Sequence, residues 1–410
     1  MLTIEGQIVN IDGVARGRVE IGNDGIISAV GKETGQADVV LKDELIFPGF
    51  VDAHVHAREC ANHSQDYKED FVSAAAAAIN GGVVAFADMP NNPVPPVDEK
   101  SYADKYQLSK KSAVDVVLYA GIGPRTSPLA RKVPYKAFMG KSVGDLFFNS
   151  ADELESAIKK YQGQAVSFHC EDPTILEQNE NQPTHALRRP KEAEIVAIDF
   201  ALKLMEKYQL QGKICHCSTA EGGRKIAAAQ KRPHVKVSAE VTPHHLFFDE
   251  SMITEKNRKM FQVNPPIRQS REDRLALIAA LKNGEIDFLA TDHAPHSIAE
   301  KEKGASGMPH LDTYGPFAAW LIKEHQLKPQ DIARVCSYNP GKFISQFSNI
   351  QYGKIEAGYI GSLTVLDLNQ PIKIEKSMLK TKRNWSPFEG IEFPGRVVYT
   401  IIKGKICKQN

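Results

Sequence analysis

The sequence predicts an α/β protein, namely a (β/α)8 TIM-type barrel with a small β-sandwich domain built from both ends of the chain. The middle of the chain alternates eight apolar, strand-like segments with helix-like segments, a pattern typical of a parallel sheet connected by helices. Both ends contain only short strand-like segments punctuated by turns. A doubly wound open sheet usually has fewer strands and a glycine-rich first turn. Because neither GxGxxG nor GxxxxGK(S/T) is present, the barrel is favoured.

The predicted barrel spans residues 49–348. Its candidate strands are IFPGFVDAHVHA, VVAFADMP, DVVLYAGI, VPYKAFMG, QAVSFHC, GKICHC, VKVSAEV and IDFLATD. The helix-like segments between them include DFVSAAAAAING, SADELESAIKKYQ, KEAEIVAIDFALKLMEKY and REDRLALIAALKNG. Eight such units over this length are what a (β/α)8 barrel requires.

Residues 1–48 and 349–410 are predicted to form the small β domain. The first part contains the strand candidates LTIEGQIVNI, RGRVEIG, GIISAVG and DVVLKDELIFPG. The last part contains GSLTVLDL, PIKIEK and RVVYTIIKGKIC. Because the two parts share this pattern, we expect them to combine into one small antiparallel sheet unit beside the barrel.

Composition excludes several classes of function. The formal net charge of +1 predicts no binding to nucleic acid or to a membrane surface. The first residues lack the basic start and apolar run of a secretory signal, and the longest apolar stretch is far shorter than the roughly 20 residues of a membrane span. Six cysteines without a CxxC pair do not form a disulfide framework. We therefore expect a cytoplasmic protein.

Potential metal ligands lie where the candidate strands end, and these ends face the active-site mouth of such a barrel. His54 and His56 are two residues apart on the first strand, so both side chains face the same way and could share a metal ion. Imidazoles with one carboxylate suit zinc, with nickel, cobalt and manganese as less favoured alternatives. The further strand ends supply Asn91, Lys136, His169, His216 and Asp292.

Lys136 has apolar neighbours in VPYKAFMG at an inward-facing position. An ordinary lysine in such a segment lies at the surface with its stem packed on apolar groups. A buried free ammonium is costly, however, and lysine loses its proton readily when buried. A neutral amine can react with carbon dioxide, and the resulting carbamate can bridge two cations. Lys136 is therefore a candidate bridge between two metal ions.

Several segments closely resemble those of dihydroorotases in the amidohydrolase superfamily of cyclic amidohydrolases. The segments are GFVDAHVHARE, YKED, MPNNP, HCED, VTPHHL, NPPIR and ATDHAPH, in this order. The resemblance implies two Zn²⁺ ions per subunit, bridged by carbamylated Lys136 and a hydroxide. It assigns His54, His56 and Asp292 to the first ion. It assigns His169 and His216 to the second.

The resemblance also implies which residues bind the substrate. Arg58, Asn91 and His296 match positions that contact the substrate carboxylate, and Asn264 matches a position beside the pyrimidine ring. The guanidinium of arginine offers a bidentate geometry that lysine lacks. Read alone, Arg58 would be a solvated surface residue and Asn91 a turn residue. Cys215 and Glu240 match positions that hold an additional zinc in some relatives, although a buried cysteine is usually core.

By resemblance, the reaction is the reversible hydrolysis of the dihydroorotate ring amide, or closure of N-carbamoyl-L-aspartate, in pyrimidine biosynthesis. A metal-bridging hydroxide attacks the carbonyl, and Asp292 shuttles the proton to the leaving nitrogen. The resemblance also implies a homodimer and a possible association with aspartate transcarbamoylase. The polar, glycine-rich segment KEKGASGMPHLD is predicted to be a mobile lid.

Alternatives remain at this point. Allantoinase and dihydropyrimidinase (hydantoinase) share the fold and metal set. Hydantoinases generally lack an arginine at the Arg58 position. Allantoinases have that arginine but usually read CPHYL and CAPPIR, where this sequence reads TPHHL and NPPIR. A non-catalytic dihydroorotase-like scaffold for aspartate transcarbamoylase is a further alternative, but such proteins have typically lost metal ligands. The sequence departs from the family in CANHSQDYKED, where relatives commonly have a shorter stretch, so the role of the loop around His63 is open.

Overall fold

The computed structural model describes residues 1–32, 35–140, 146–268 and 270–408. Its strands are, in chain order, β1 (Leu2–Asn10), β2 (Gly13–Ile21), β3 (Ile27–Gly31), β4 (Val39–Pro48), β5 (Phe50–Val55), β6 (Val83–Asp88), β7 (Asp115–Leu118), β8 (Ala120–Ile122), β9 (Tyr135–Phe138), β10 (Ala165–His169), β11 (Gln211–Ile214), β12 (Lys236–Val241), β13 (Phe288–Leu289), β14 (Leu363–Asp367), β15 (Ile372–Lys373), β16 (Glu392–Phe393), β17 (Arg396–Ile402) and β18 (Lys405–Lys408).

The helices are α1 (Phe71–Gly81), α2 (Glu99–Ser109), α3 (Ala151–Ile158), α4 (Pro173–Gln178), α5 (His185–Arg188), α6 (Lys191–Lys207), α7 (Ala220–Gln230), α8 (Pro243–Phe247), α9 (Arg271–Asn283), α10 (Ile298–Glu302), α11 (Tyr314–His325), α12 (Pro329–Ile332) and α13 (Asn339–Ser345). A π-helical turn at Ala333–Tyr338 joins the last two. Within the described residues, no helix is long and apolar enough to span a lipid bilayer.

The barrel consists of β5 to β13. The strands β5, β6 and β7 pair in parallel, and β8 to β13 form a second parallel series in chain order. The third barrel strand is interrupted at Tyr119, so that β7 pairs with β6 and β8 pairs with β9. Val55 bridges His293, and the His56 amide donates to the His293 carbonyl at 2.8 Å, which joins the first strand to the last. These features confirm the predicted barrel.

The first βα unit shows how the sequence sets the barrel elements. Asp70 and Ser73 form a capping box at the start of α1, in which each side chain accepts a hydrogen bond from the other residue's backbone amide. The alanine-rich helix ends before Gly82, whose φ of 85° is left-handed and favours glycine. The flanking strands β5 and β6 are buried at every position. Continuous burial is typical of parallel strands that are covered on both faces.

Both ends of the chain form one seven-stranded sheet, in the order β18-β17-β14-β4-β1-β2-β3. The expectation of a purely antiparallel sheet was wrong, because β1 and β4 are parallel. The direction of β4 follows from its exit, since only Gly49 separates it from β5. A Cβ atom on Gly49 would lie 2.4 Å from Val84 Cγ2, so this close approach requires glycine. The predicted strand PIKIEK contains β15, which lies outside this sheet and pairs with β16 in a separate two-stranded sheet.

Part of the C-terminal segment packs on the barrel. The Trp385 indole donates to the His296 carbonyl oxygen at 2.8 Å, and Asp312 accepts hydrogen bonds from the Lys380 and Thr381 amides. Ile374, Leu379, Trp385 and Phe388 belong to the same apolar core as the barrel. The division into residues 1–48, 49–348 and 349–410 stays a prediction. Residues 374–388 fall in the predicted small domain, but they pack on the barrel.

Candidate active site

A cavity of about 350 Å³ opens at the carboxyl ends of the barrel strands. Phe138, Ala294 and residues 305–307 form part of its wall. The ten residues that the sequence predicts as ligands of the two metal ions or as substrate contacts also line it, and these are His54, His56, Arg58, Asn91, Lys136, His169, His216, Asn264, Asp292 and His296. The structure therefore brings these side chains together in one cavity, while their roles stay predictions.

Two imidazoles and a carboxylate form the first group of candidate metal ligands. Asp292 Oδ1 lies 3.1 Å from His54 Nε2 and 3.0 Å from His56 Nε2. One donor atom from each of the three buried residues lies within 4.8 Å of the other two. Asp292 has a φ of 48°, which turns the backbone just past β13. This group could hold one metal ion.

His169, His216 and Lys136 form the second group. His169 Nδ1 lies 3.0 Å from His216 Nε2, and the His216 ring centroid lies 5.4 Å from that of His54. Lys136 is fully buried, and its Nζ donates to Cys215 Sγ at 2.7 Å. His216 Nδ1 is buried without a hydrogen-bond partner among the described residues. The two groups therefore adjoin in one cavity, and the second group includes a buried amine.

Glu240 fixes the orientation of His54. Its carboxylate accepts the His54 Nδ1 hydrogen and pairs with the fully buried Lys213 ammonium. Burial alone would raise the pKa of Glu240, but Lys213 and His54 outweigh it and hold this pKa well below its usual range. His54 Nε2 is thereby left to face the cavity. Sequence reasoning missed this role, and it missed Lys213 entirely.

Glu171 has the corresponding role for His169. It accepts from His169 Nε2 at 2.8 Å and forms an ion pair with Arg189 at 2.5 Å. Burial alone would raise the pKa of Glu171, but Arg189 and His169 hold it well below its usual range. His169 Nδ1 then carries the lone pair that faces His216. A signal for Glu171 was present in the segment HCED, two residues beyond the histidine.

The protonation states of most candidate ligands suit metal ligation, and His54 is the exception. Burial alone would lower the pKa of His54, but Glu240 and Asp292 hold it well above its usual value, so a metal ion would have to displace a proton there. Burial lowers the pKa of His56 to about 3, and it also lowers the pKa values of His169 and His216. Burial alone would raise the pKa of Asp292, but the imidazoles of His54 and His56 hold it well below its ordinary value. Neutral imidazoles and an ionised carboxylate are the forms that bind metals. The donor set therefore fits divalent metal ions such as zinc.

A second set of cavity residues suits a polar, anionic ligand. Arg58 Nη2 donates to His296 Nε2 at 3.1 Å, and burial together with Arg58 lowers the pKa of His296 to about 2, so this imidazole is neutral. Arg58 Nε, Asn91 Oδ1 and Asn264 Oδ1 are buried and have no hydrogen-bond partner within the described part of the chain. Buried polar groups without partners are rare in folded proteins. These atoms are therefore available to a ligand.

The segment that was predicted to be a mobile lid is anchored in this structure. Its first two residues are the end of α10, and Lys301 is fully buried there. Lys301 Nζ donates to the carbonyl oxygens of Gln262, Ala305 and Gly307, each at 2.8 Å. The sequence shows that the segment is polar and rich in glycine, but it does not show that one lysine holds the segment to the barrel. Residues 305–307 form a wall of the cavity.

Two residues that the sequence analysis left open can now be placed. Cys215 is buried and contacts Lys136, and it forms a cluster with His54 and Glu240 that has metal-binding spacing. His63 is largely exposed and pairs with Asp66 at 2.8 Å. It does not line the cavity. The unusual loop around His63 therefore lies apart from the candidate metal ligands of the cavity, and His63 forms a separate, partly exposed group with Glu59 and Asp66 at metal-binding spacing.

The fold and the site define a metal-dependent amidohydrolase, and a model described as "Amidohydrolase family" matches residues 45–407. A curated dihydroorotase from Thermococcus kodakarensis is 34% identical over 100% of this chain and 94% of its own length. One from Pyrococcus furiosus is 33% identical over 100% and 92%. The chain therefore belongs to the amidohydrolase family and, within it, to the dihydroorotases. The structure of L-hydantoinase (dihydropyrimidinase) from Arthrobacter aurescens matches with a TM-score of 0.89, covering 100% of this chain and 96% of its own at 24% identity. This last likeness shows a common fold.

Proposed function

We propose that this chain catalyses the reversible hydrolysis of the dihydroorotate ring amide, whose reverse is the closure of N-carbamoyl-L-aspartate in pyrimidine biosynthesis. One observation carries the proposal. A single cavity combines two groups of candidate metal ligands with a buried arginine whose guanidinium could bind a carboxylate. Dihydroorotate requires both, because it carries a cyclic amide and a carboxylate. The dihydroorotase relatives support the same assignment.

The metal centre proposed here holds two Zn²⁺ ions. His54, His56 and Asp292 would hold the first ion and His169 and His216 the second, while carbamylated Lys136 would bridge them. Bound zinc ions lower the pKa of water toward about 7 and polarise a carbonyl oxygen. The full burial of Lys136 supports this role, since a carbamate converts a costly buried ammonium into a ligand with negative charge.

The protein's own residues would supply orientation and proton transfer. The guanidinium of Arg58, assisted by Asn91 and His296, would bind the substrate carboxylate and thereby place the ring amide near the candidate metal ligands. Asn264 would contact the ring. The Asp292 carboxylate would remove a proton from the attacking water and deliver it to the leaving ring nitrogen, acting first as a base and then as an acid.

We further propose that the enzyme works in the cytoplasm as a homodimer and can associate with aspartate transcarbamoylase. The cysteines of the described residues are all unpaired, which suits a reducing compartment. The dimer and the association rest on the resemblance to dihydroorotases. Sedimentation of the purified chain, alone and mixed with the transcarbamoylase from the same source, tests both.

The decisive experiment combines metal analysis with an ultraviolet assay of dihydroorotate hydrolysis. We expect bound zinc and turnover of dihydroorotate, with much weaker turnover of hydantoin, dihydrouracil and allantoin, because these rings lack the carboxylate that Arg58 would bind. If hydantoin, dihydrouracil or allantoin were the preferred substrate, the chain would instead be a hydantoinase, a dihydropyrimidinase or an allantoinase, respectively. Metal-free, inactive protein would support the non-catalytic scaffold instead.

Replacing Arg58 with methionine should raise the KM for dihydroorotate by roughly tenfold to a hundredfold, because hydrogen bonds to charged groups each contribute about 1.5 to 3 kcal/mol. Activity on hydantoin should change much less. Steady-state kinetics of both substrates measure this difference. Arg232→Met is a matched control, because Arg232 is half-exposed and pairs only with Glu206 among the described side chains. Equal losses on the two substrates would refute the carboxylate-binding role.

A further inference from the structure

Lys105 is a buried cation that lies outside the cavity. It lies on α2, a helix with an otherwise largely polar sequence, and is only 2% exposed. Its Nζ lies 2.6 Å from Asp88 Oδ2, donates to the Met89 carbonyl oxygen at 3.3 Å, and donates to Asn92 Oδ1. Three oxygens therefore surround the ammonium, one through an ion pair and two through hydrogen bonds. All three partners lie at the end of β6 or just beyond it.

Two of these partners hold the backbone on either side of Arg58. Asp88 Oδ1 accepts from the Ala57 amide at 2.8 Å, and Asn92 Nδ2 donates to the Arg58 carbonyl oxygen at 3.2 Å. Arg58 has a φ of 63°, a left-handed conformation that is uncommon for a residue with a side chain. This turn aims the guanidinium at His296 within the cavity. The contacts of Asp88 and Asn92 therefore stabilise the conformation that Arg58 needs.

The same lysine also supports Asn91. Met89 and Asn92, two of its contacts, lie close to Asn91 on either side in the chain. The Asn91 Oδ1 atom is buried and lacks a partner among the described residues. The Lys105 ammonium thus contacts residues that support the backbone at both Arg58 and Asn91.

We propose that Lys105 is a positioning residue for the carboxylate-binding end of the cavity, an inference that rests on the proposed function. If α2 needed only to pack here, an apolar side chain would serve as well, because buried ion pairs can often be replaced by apolar groups without loss of stability. The contacts instead lead from Lys105 through Asp88 and Asn92 to the two peptide groups around Arg58. Removing the ammonium frees Arg58 to relax toward an ordinary φ and withdraw its guanidinium.

The test uses zinc-loaded enzyme carrying Lys105→Met, and the charge-neutral double variant Lys105→Met/Asp88→Asn in case a lone buried carboxylate prevents folding. We expect the KM for dihydroorotate and the Kd for orotate, measured by calorimetry, each to rise about tenfold, the effect of losing one hydrogen bond to a charged group. The zinc content and the rate on hydantoin should stay at the wild-type level. Lys100→Met is the matched control, since Lys100 lies on the same helix, is exposed and pairs with Asp104.

Several outcomes would overturn the inference. One is an unchanged KM and orotate Kd in a folded, zinc-loaded variant, and another is an equal loss on hydantoin, which would indicate a merely structural role. If neither lysine variant folds, Asn92→Ala removes the contact to the Arg58 carbonyl without burying a charge, and an unchanged orotate Kd there would also refute the proposal. Failure of the proposed function is distinguishable, because the wild-type enzyme would then neither hydrolyse dihydroorotate nor bind orotate.

Discussion

Replacing Asp292 with asparagine is expected to lower kcat for dihydroorotate by roughly 10²- to 10⁴-fold, the range that a positioned acid–base group contributes. Asparagine keeps the shape of the side chain but cannot carry the proton from water to the leaving nitrogen. The Asp292 carboxylate lies in the cavity, and the His54 and His56 imidazoles hold its pKa well below the ordinary value, so it starts the reaction in the ionised form that a base requires.

The same substitution also tests whether proton transfer and metal ligation can be separated. Zinc content should be measured with kcat, because Asp292 Oδ1 lies at hydrogen-bonding distance from both imidazoles of the first ligand group. A variant that retains zinc but loses turnover supports the acid–base role. Asp199→Asn on α6, where the side chain is partly exposed and pairs with Lys225, is the matched control. Wild-type kcat in the Asp292→Asn enzyme would refute the role.

The barrel and most cavity residues could be predicted because one geometric rule connects sequence to space. Parallel strands bring their carboxyl ends together at one mouth. His54 on the first strand and Asp292 beyond the eighth are 238 positions apart, which is the difference of their residue numbers, yet their side chains lie 3.1 Å apart. Apolar segments in the sequence predict where the strands end, and the residues at those ends are the candidate ligands.

The supporting residues could not be predicted in this way, because they act through contacts that no local pattern encodes. Lys213 and Lys136 both lie within apolar strand segments, yet one pairs with Glu240 and the other faces the cavity. Lys105 and Lys301 lie in polar helices, where a solvated surface lysine is the ordinary expectation. Their burial depends on which oxygens the folded chain brings to each ammonium, and only the structure provides that information.

Replacing Lys136 with methionine is expected to remove at least one of the two proposed zinc ions and to lower kcat by roughly 10²- to 10⁴-fold, since metal ions supply several kcal/mol of transition-state stabilisation. Methionine fills a similar volume in this fully buried position but can form no carbamate. His169 and His216 alone would then leave the second ion with too few protein ligands and no anionic group among them.

Mass spectrometry of the intact, zinc-loaded protein under non-acidic conditions tests the modification directly. The wild-type chain should be heavier than its sequence mass by one carbon dioxide, and the Lys136→Met chain should lack this increment. Zinc and activity should return to metal-stripped wild-type protein faster with bicarbonate than without it. Lys160→Met replaces an exposed lysine in the 3-10 turn that follows α3 and should leave mass increment, zinc content and kcat unchanged. A Lys136→Met enzyme that keeps full zinc content and turnover would contradict the bridging role, because the cation pair would then be held without any ligand from that position.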